Sequence, residues 1–173
     1  MEASVLRSLV RDVADFPRAG VVFKDITPML AEPAALRAAV DGVAEPFLGQ
    51  GIELVVGIEA RGFILAAPVA ERLGAGFVPV RKPGKLPWRT ERITYELEYG
   101  TDTLEVHIDA VEPGQRVLVV DDVLATGGTA ASTAALLERL GAEVVGLSFL
   151  IELTFLGGRA RIGDRAAASL LAW

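Results

Sequence analysis

Apolar residues along this chain fall into two alternating rhythms. Short continuous runs, Leu54-Val55-Val56-Gly57-Ile58, Phe77-Val78-Pro79-Val80, Arg116-Val117-Leu118-Val119-Val120 and residues 144–150, are separated by segments with helical spacing over residues 63–73 and 129–140. Strands buried on both faces read as unbroken apolar runs, and their alternation with helices calls for parallel crossovers. The pattern therefore predicts an α/β fold, a mainly parallel central sheet flanked by helices. Upstream, Val5, Leu6, Leu9, Val10 and Val13 predict a helix over residues 4–14, closed by the turn-like Phe16-Pro17-Arg18-Ala19-Gly20. Pro33 suits the first turn of a second helix over residues 34–45. Residues 94–108 break the rhythm: Tyr95 to Tyr99 and Leu104 to Ile108 flank Gly100-Thr101-Asp102 and predict an antiparallel ribbon, a lid beside the sheet.

Neither an internal repeat nor a low-complexity linker divides the chain, so 173 residues are read as a single domain. The hydrophobic fraction of 51% raises the question of a membrane segment. The longest uncharged stretch, residues 123–137, is shorter than the roughly 20 apolar residues that span a bilayer and is rich in Ala, Gly, Ser and Thr. The apolar excess is assigned to buried strands. The first residues lack a basic region followed by an apolar core, so no secretory signal is expected. With no cysteine there is no disulfide framework, thiolate metal site or cysteine nucleophile, and a cytoplasmic location is the simplest expectation. A net charge of −6 argues against a general nucleic-acid or membrane binder, so an anionic ligand must find a local basic patch.

One segment carries the most chemistry. The strand over residues 117–120 runs into Asp121 and Asp122, then the small-residue turn Ala125-Thr126-Gly127-Gly128-Thr129, then a helix. In parallel α/β sheets ligands gather outside the carboxyl ends of the strands. Glycines let the backbone approach a ligand, free N–H groups and the helix dipole attract phosphate, and Thr126 and Thr129 add hydroxyl donors. The acid pair would repel a phosphate directly, so it is assigned to sugar hydroxyls one step away. A phosphorylated sugar satisfies both halves. A P-loop is excluded because the turn has no lysine, and the dinucleotide fingerprint Gly-x-Gly-x-x-Gly is missing.

This arrangement resembles the type I phosphoribosyltransferases, whose signature is an apolar strand, two acids and a Thr-Gly-rich turn. The resemblance implies that residues 125–129 bind the 5-phosphate of phosphoribosyl pyrophosphate (PRPP), and Asp121 and Asp122 the ribose hydroxyls. The blocks Val21 to Pro28, Gly57 to Phe63, Arg81 to Pro87 and Tyr95 to Gly100, with Ile151-Glu152-Leu153 and Gly158-Arg159, resemble the adenine phosphoribosyltransferase family in its order. Residues 161–173 are uninformative.

That resemblance implies a reaction: ribose 5-phosphate passes from PRPP to adenine, giving AMP and pyrophosphate, with Mg²⁺ held mainly by substrate oxygens and water. It places a base-binding segment in residues 1–32 and a flexible lid in residues 83–108. Val22, Phe23 and Lys24 would bind adenine, by backbone groups along its edge and an aromatic ring on its face, with Val123 over the other face. Many relatives have arginine where this chain has Lys24. Glu59, Ala60 and Arg61 would contact pyrophosphate through a turn that in the family holds a non-proline cis peptide. Arg81, Lys82 and Lys85 add the cations a leaving pyrophosphate needs. Glu98 would polarise the base or relay its proton, and Tyr99 would help close the lid. His107, on an alternating strand, is read as structural. Family members are typically homodimers, with a residue like Arg81 reaching toward the neighbouring site. Two rivals stay open: the same chemistry on xanthine, guanine or a pyrimidine, and a DNA-binding regulator that keeps the PRPP site as a sensor.

Overall fold

The computed structural model describes residues 1–96 and 100–173. The chain begins with helix α1 (Ala3–Ser8), strands β1 (Arg11–Ala14) and β2 (Val22–Asp25), and helices α2 (Thr27–Ala31) and α3 (Pro33–Ala44). The α/β body follows as β3 (Leu54–Ile58), α4 (Gly62–Leu73), β4 (Gly76–Val80), the ribbon strands β5 (Thr90–Glu96) and β6 (Thr101–His107), then β7 (Arg116–Leu124), α5 (Gly128–Arg139), β8 (Glu143–Glu152), α6 (Gly158–Ile162) and β9 (Ala167–Ala172). Among the described residues, β4-β3-β7-β8-β9 form one parallel sheet in that order, and β1-β2 and β5-β6 form separate antiparallel pairs.

The central strands are buried because helices cover both faces. One core cluster gathers Val55, Leu118, Val120 and Ile151 with Leu65 and Val69 of α4 and Val43 of α3. The other gathers Val56, Val119, Leu147 and Phe149 with Leu136 and Leu137 of α5. This is the arrangement that continuous apolar runs demand. No helix is long and apolar enough to cross a membrane among the described residues.

Chain direction locates the site. From β3 the next parallel strand, β4, lies to one side; from β7 the next, β8, lies to the other. The switch point is the gap between β3 and β7, where the loops leaving the two carboxyl ends diverge and open a crevice.

Three expectations need correction. The helix predicted over 4–14 stops at Ser8, and Arg11–Ala14 pairs with Val22–Asp25 instead. The register sets Asp12 opposite Lys24 and Arg11 opposite Asp25, and the turn closes with Gly20 N–H donating to Asp15 Oδ1 at 2.8 Å. A helix there would leave the Lys24 ammonium buried without its carboxylate, so long-range pairing overrides a weak apolar stripe. Second, the strand read as ending at Val120 continues to Leu124, because the longer β8 pairs with it through Leu124 opposite Glu152. Asp121 and Asp122 thus sit on a strand and not in a flexible turn. Third, residues 161–173 contribute β9, an edge strand of the main sheet.

The ribbon forms with Thr90 opposite His107 and Glu96 opposite Thr101. Tyr95, Leu104 and Val106 anchor it in the core. His107 sits at its base, where Nε2 accepts a 3.4 Å hydrogen bond from Trp88 N–H, in keeping with a structural role.

Candidate active site

A cavity of about 500 Å³ lies at the switch point. Its walls come from segments that the fold brings together: Val21 and the β2 residues Val22 to Lys24, Glu59, Ala60 and Arg61 after β3, Lys82 after β4, Asp121, Asp122 and Val123 at the end of β7, Ala125 just beyond it, Thr129 in the first turn of α5, and Leu153 and Leu156 after β8. A second hollow of about 80 Å³ adjoins it, lined by Asp121 and by residues 123–130, including Thr126, Gly127 and Gly128. The two share Asp121, Val123, Ala125 and Thr129.

The small hollow is a cradle of backbone and small side chains. Gly127 has φ of 81° and a Cβ there would lie 2.3 Å from the Gly158 carbonyl oxygen. Both facts demand glycine. Gly158 is bound as tightly, since its own Cβ would lie 2.3 Å from the Ala125 carbonyl oxygen. Helix α6 therefore props the cradle from behind. Arg159 fixes that prop by a bidentate pair to Glu152, with Nε 2.9 Å from Oε1 and Nη2 2.7 Å from Oε2. Helix α5 starts at Gly128, so its free N–H groups face the hollow.

The acid pair sits between cradle and cavity. Burial and then the neighbouring charge of Asp122 push the Asp121 carboxyl well above the usual range. Burial also raises Asp122, with Arg61 pulling the other way. Arg61 Nε stands 2.8 Å from Asp122 Oδ2, yet that buried oxygen accepts no hydrogen bond of good geometry among the described residues. Asp121 and Asp122 both line the larger cavity, where carboxylates can accept from hydroxyl donors. Arg61 also lies over the Phe23 ring, 4.6 Å from its centroid, and Phe16 meets the same ring edge-on at 5.1 Å.

The third region is cationic but internally paired. Glu59, nearly buried, accepts from Lys82 N–H at 2.9 Å and from Arg81 Nε at 3.2 Å, and pairs with Lys85 Nζ. Burial raises its carboxyl, but Lys85, the Lys82 N–H and Arg81 more than offset this and hold it below the ordinary range. The Lys82 ammonium pairs with Asp102 of the ribbon. Tyr95 Oη donates to Asp102 Oδ2 at 3.2 Å and shares a 3.0 Å hydrogen bond with Thr129 of the cradle. The Glu59-Ala60 peptide is cis.

Of the residues singled out from sequence, the two hollows therefore gather Val22, Phe23, Lys24, Glu59, Ala60, Arg61, Lys82, Asp121, Asp122, Val123 and residues 125–129. Arg81 and Lys85 fall outside the lining and hold Glu59 from behind. Lys24 lines the cavity, and its ammonium pairs with Asp12 at 2.6 Å. Glu98 and Tyr99 lie outside the described residues. Val21, Leu153 and Leu156 line the cavity without being singled out as site residues; Val21 opens one family block and Leu153 closes another, while Leu156 lies in neither.

The phosphoribosyl transferase domain family model matches residues 29–163. The adenine phosphoribosyltransferase of Thermobifida fusca (strain YX) is 61% identical over 162 residues, covering 94% of this chain and 92% of the relative. The crystal structure of adenine phosphoribosyltransferase from Rhodothermus marinus superposes with a TM-score of 0.95 at 56% identity, covering 99% of this chain and 98% of that one. That of Saccharomyces cerevisiae, complexed with an imino-altritol bisphosphate and adenine, gives 0.92 at 38% identity with 98% of each chain covered. A cradle, an acid pair and a cationic turn around one switch point, together with identity of this extent, place the chain in the phosphoribosyltransferase family, among the adenine phosphoribosyltransferases.

Proposed function

We propose that the chain transfers ribose 5-phosphate from PRPP to N9 of adenine at the crevice between β3 and β7, forming AMP and pyrophosphate. The carrying observation is the adjacency of two features: a backbone cradle sized for one phosphate, and the acid pair Asp121 and Asp122 on the wall of the larger cavity it adjoins, with Asp121 lining both. That spacing of demands fits a ribose 5-phosphate, whose phosphate enters the cradle while its hydroxyls donate to the acids.

The remaining walls divide the substrate between them. Val22 to Lys24 offer an edge-strand backbone to the purine edge, and Phe23, Val123 and Leu153 offer apolar faces. Arg61 and Lys82 face the space where pyrophosphate would lie. Transfer breaks the bond from C1 to the pyrophosphate oxygen, forms the bond from C1 to N9 and releases the N9 proton. Cations at the leaving group bind it more strongly as its charge grows, so they lower the barrier without a covalent nucleophile. Glu98 would take the proton or polarise the base, and Tyr99 would help the ribbon tip close over the site, within the lid of residues 83–108.

The donor set fits Mg²⁺ carried by the substrate. Among the described residues no group of three or more His, Asp and Glu forms a cage, whereas Mg²⁺ keeps waters and takes only one or two carboxylates beside phosphates. Asp121 and Asp122 are carboxylates on the cavity wall that could take part in holding such an ion. When bound it would neutralise charge on the pyrophosphate. We also assign a homodimer and a cytoplasmic setting: Ile64 and Phe77 expose apolar surface on α4 and β4, and the substrates are soluble phosphates.

Incubation with PRPP, Mg²⁺ and each of adenine, guanine, xanthine and uracil, with pyrophosphate release as the readout, tests the reading. Adenine should outpace every other base. Guanine or xanthine outcompeting it would overturn the choice of base, and salt-sensitive, sequence-specific DNA binding without turnover would revive the regulator.

A further inference from the structure

Residues 161–173 carry no signature, yet the structure ties Trp173 to two walls of the base pocket. Trp173 N–H donates to the Glu152 carbonyl at 2.9 Å, and its own carbonyl accepts from Thr154 N–H at 2.8 Å and Thr154 Oγ1 at 2.5 Å. Those bonds hold the start of the 153–156 loop, which supplies Leu153 and Leu156 to the cavity. On the other side, the Lys24 ammonium lies 5.0 Å from the centroid of the Trp173 ring and the Arg7 guanidinium 4.2 Å from it. Lys24 is only 9% exposed, and its other partner is Asp12, directly across the hairpin. A buried ammonium needs more than one carboxylate that is itself mostly exposed, and an indole face is the strongest aromatic partner for it.

We propose that Trp173 is a positioning residue for adenine: it holds Lys24, and with it the β2 backbone, at a fixed distance from the Leu153 wall. The inference rests on the base-pocket reading above. The β1-β2 pair is a two-stranded ribbon outside the main sheet, and such a ribbon is only marginally stable alone. Its placement depends on side-chain anchors to the rest of the chain, among them Lys24 over the Trp173 ring and Arg61 over the Phe23 ring. Trp173 meets Glu152, whose side chain clasps Arg159 behind the cradle, through backbone bonds alone, so substitutions of its side chain should leave binding of PRPP unchanged.

The test is a series at one position, with Michaelis constants measured separately for adenine and PRPP. Trp173→Phe keeps a π face, and Trp173→Leu keeps bulk without one. The Leu variant should raise KM for adenine about 5- to 30-fold with KM for PRPP within about twofold, and the Phe variant should recover most of the loss. Equal adenine KM in the Leu and Phe variants, or a parallel rise in both substrates' KM, overturns the proposal; the latter marks general loosening. Phe23→Ala runs beside the series. If it raises KM for adenine while Trp173→Leu does not, the positioning role fails and the pocket stands. If neither moves KM, the pocket assignment itself falls and takes the proposal with it. Trp173→Ala, where it folds, should match or exceed the Leu variant, and equality with the native enzyme would again overturn it.

Discussion

The two ends of the site are built in different ways. The cradle of residues 125–129 is built of backbone N–H groups, hydroxyls and a glycine pressed against Gly158, and among the described residues Asp121 is the one charged side chain in its lining. The opposite end is charged, with Arg61, Lys82, Lys85 and Arg81 each engaged with Asp122, Asp102 or Glu59. The difference follows the chemistry proposed for each. A phosphate that stays on the product needs a fixed seat that serves substrate and product alike. A departing pyrophosphate gains charge, and cations that can exchange a carboxylate for it strengthen their grip as the bond breaks.

The largest effect should come from breaking the cradle. Gly127→Ala meets both a left-handed backbone and a carbonyl 2.3 Å from the new Cβ, so the cradle must shift by a large fraction of an ångström. Steady-state kinetics should show kcat/KM for PRPP falling about 100-fold or more, and thermal melting should show a loss of about 1–3 kcal/mol. Native behaviour in both would mean that the Gly158 contact does not shape the cradle.

Asp121→Asn separates function from stability. The Asp121 carboxyl is raised above its unfolded value by burial and by Asp122, so the ionised form is disfavoured by folding. That cost is absent in acid below the unfolded value and complete once pH passes the folded one. The variant should lose roughly 10- to 100-fold in kcat/KM yet melt about 2–4 °C higher at neutral pH, with the gain vanishing toward pH 4. A lower melting temperature at neutral pH would show that Asp121 is a structural acid.

The smallest effect belongs to the charged end. Glu59 is held below its unfolded value, so it contributes stability that is present above that value and lost as pH falls through the folded one. Glu59→Gln should therefore flatten acid unfolding below about pH 4.5 while leaving the cradle's affinity for ribose 5-phosphate intact. An unchanged acid limb would remove Glu59 from the account of that end.

The same contrast governs how much was legible in the sequence. The cradle is contiguous, and each residue type answers a local need, so Ala125 to Thr129 could be read as one unit before any fold was known, and they do line one hollow. The buried strands were legible for the same reason, as unbroken apolar runs. What depends on partners far along the chain was not. Arg11–Ala14 has a helix's spacing but becomes a strand because Lys24 needs Asp12. The extension of β7 to Leu124 depends on the length of β8, and Leu153, Leu156 and Trp173 acquire roles only through the loops and ribbons packed on them. The basic residues 81–85 read as a phosphate patch, whereas Arg81 and Lys85 are held on Glu59. No local pattern announces an internal partner 20 or more residues away.

The division of labour can be measured directly by titrating ribose 5-phosphate and Mg²⁺-pyrophosphate separately into Gly127→Ala and Lys82→Met. The account predicts a crossover: Gly127→Ala loses ribose 5-phosphate binding and keeps pyrophosphate within about twofold, and Lys82→Met weakens pyrophosphate about 10-fold and keeps ribose 5-phosphate. Parallel losses of both ligands in both variants would contradict it.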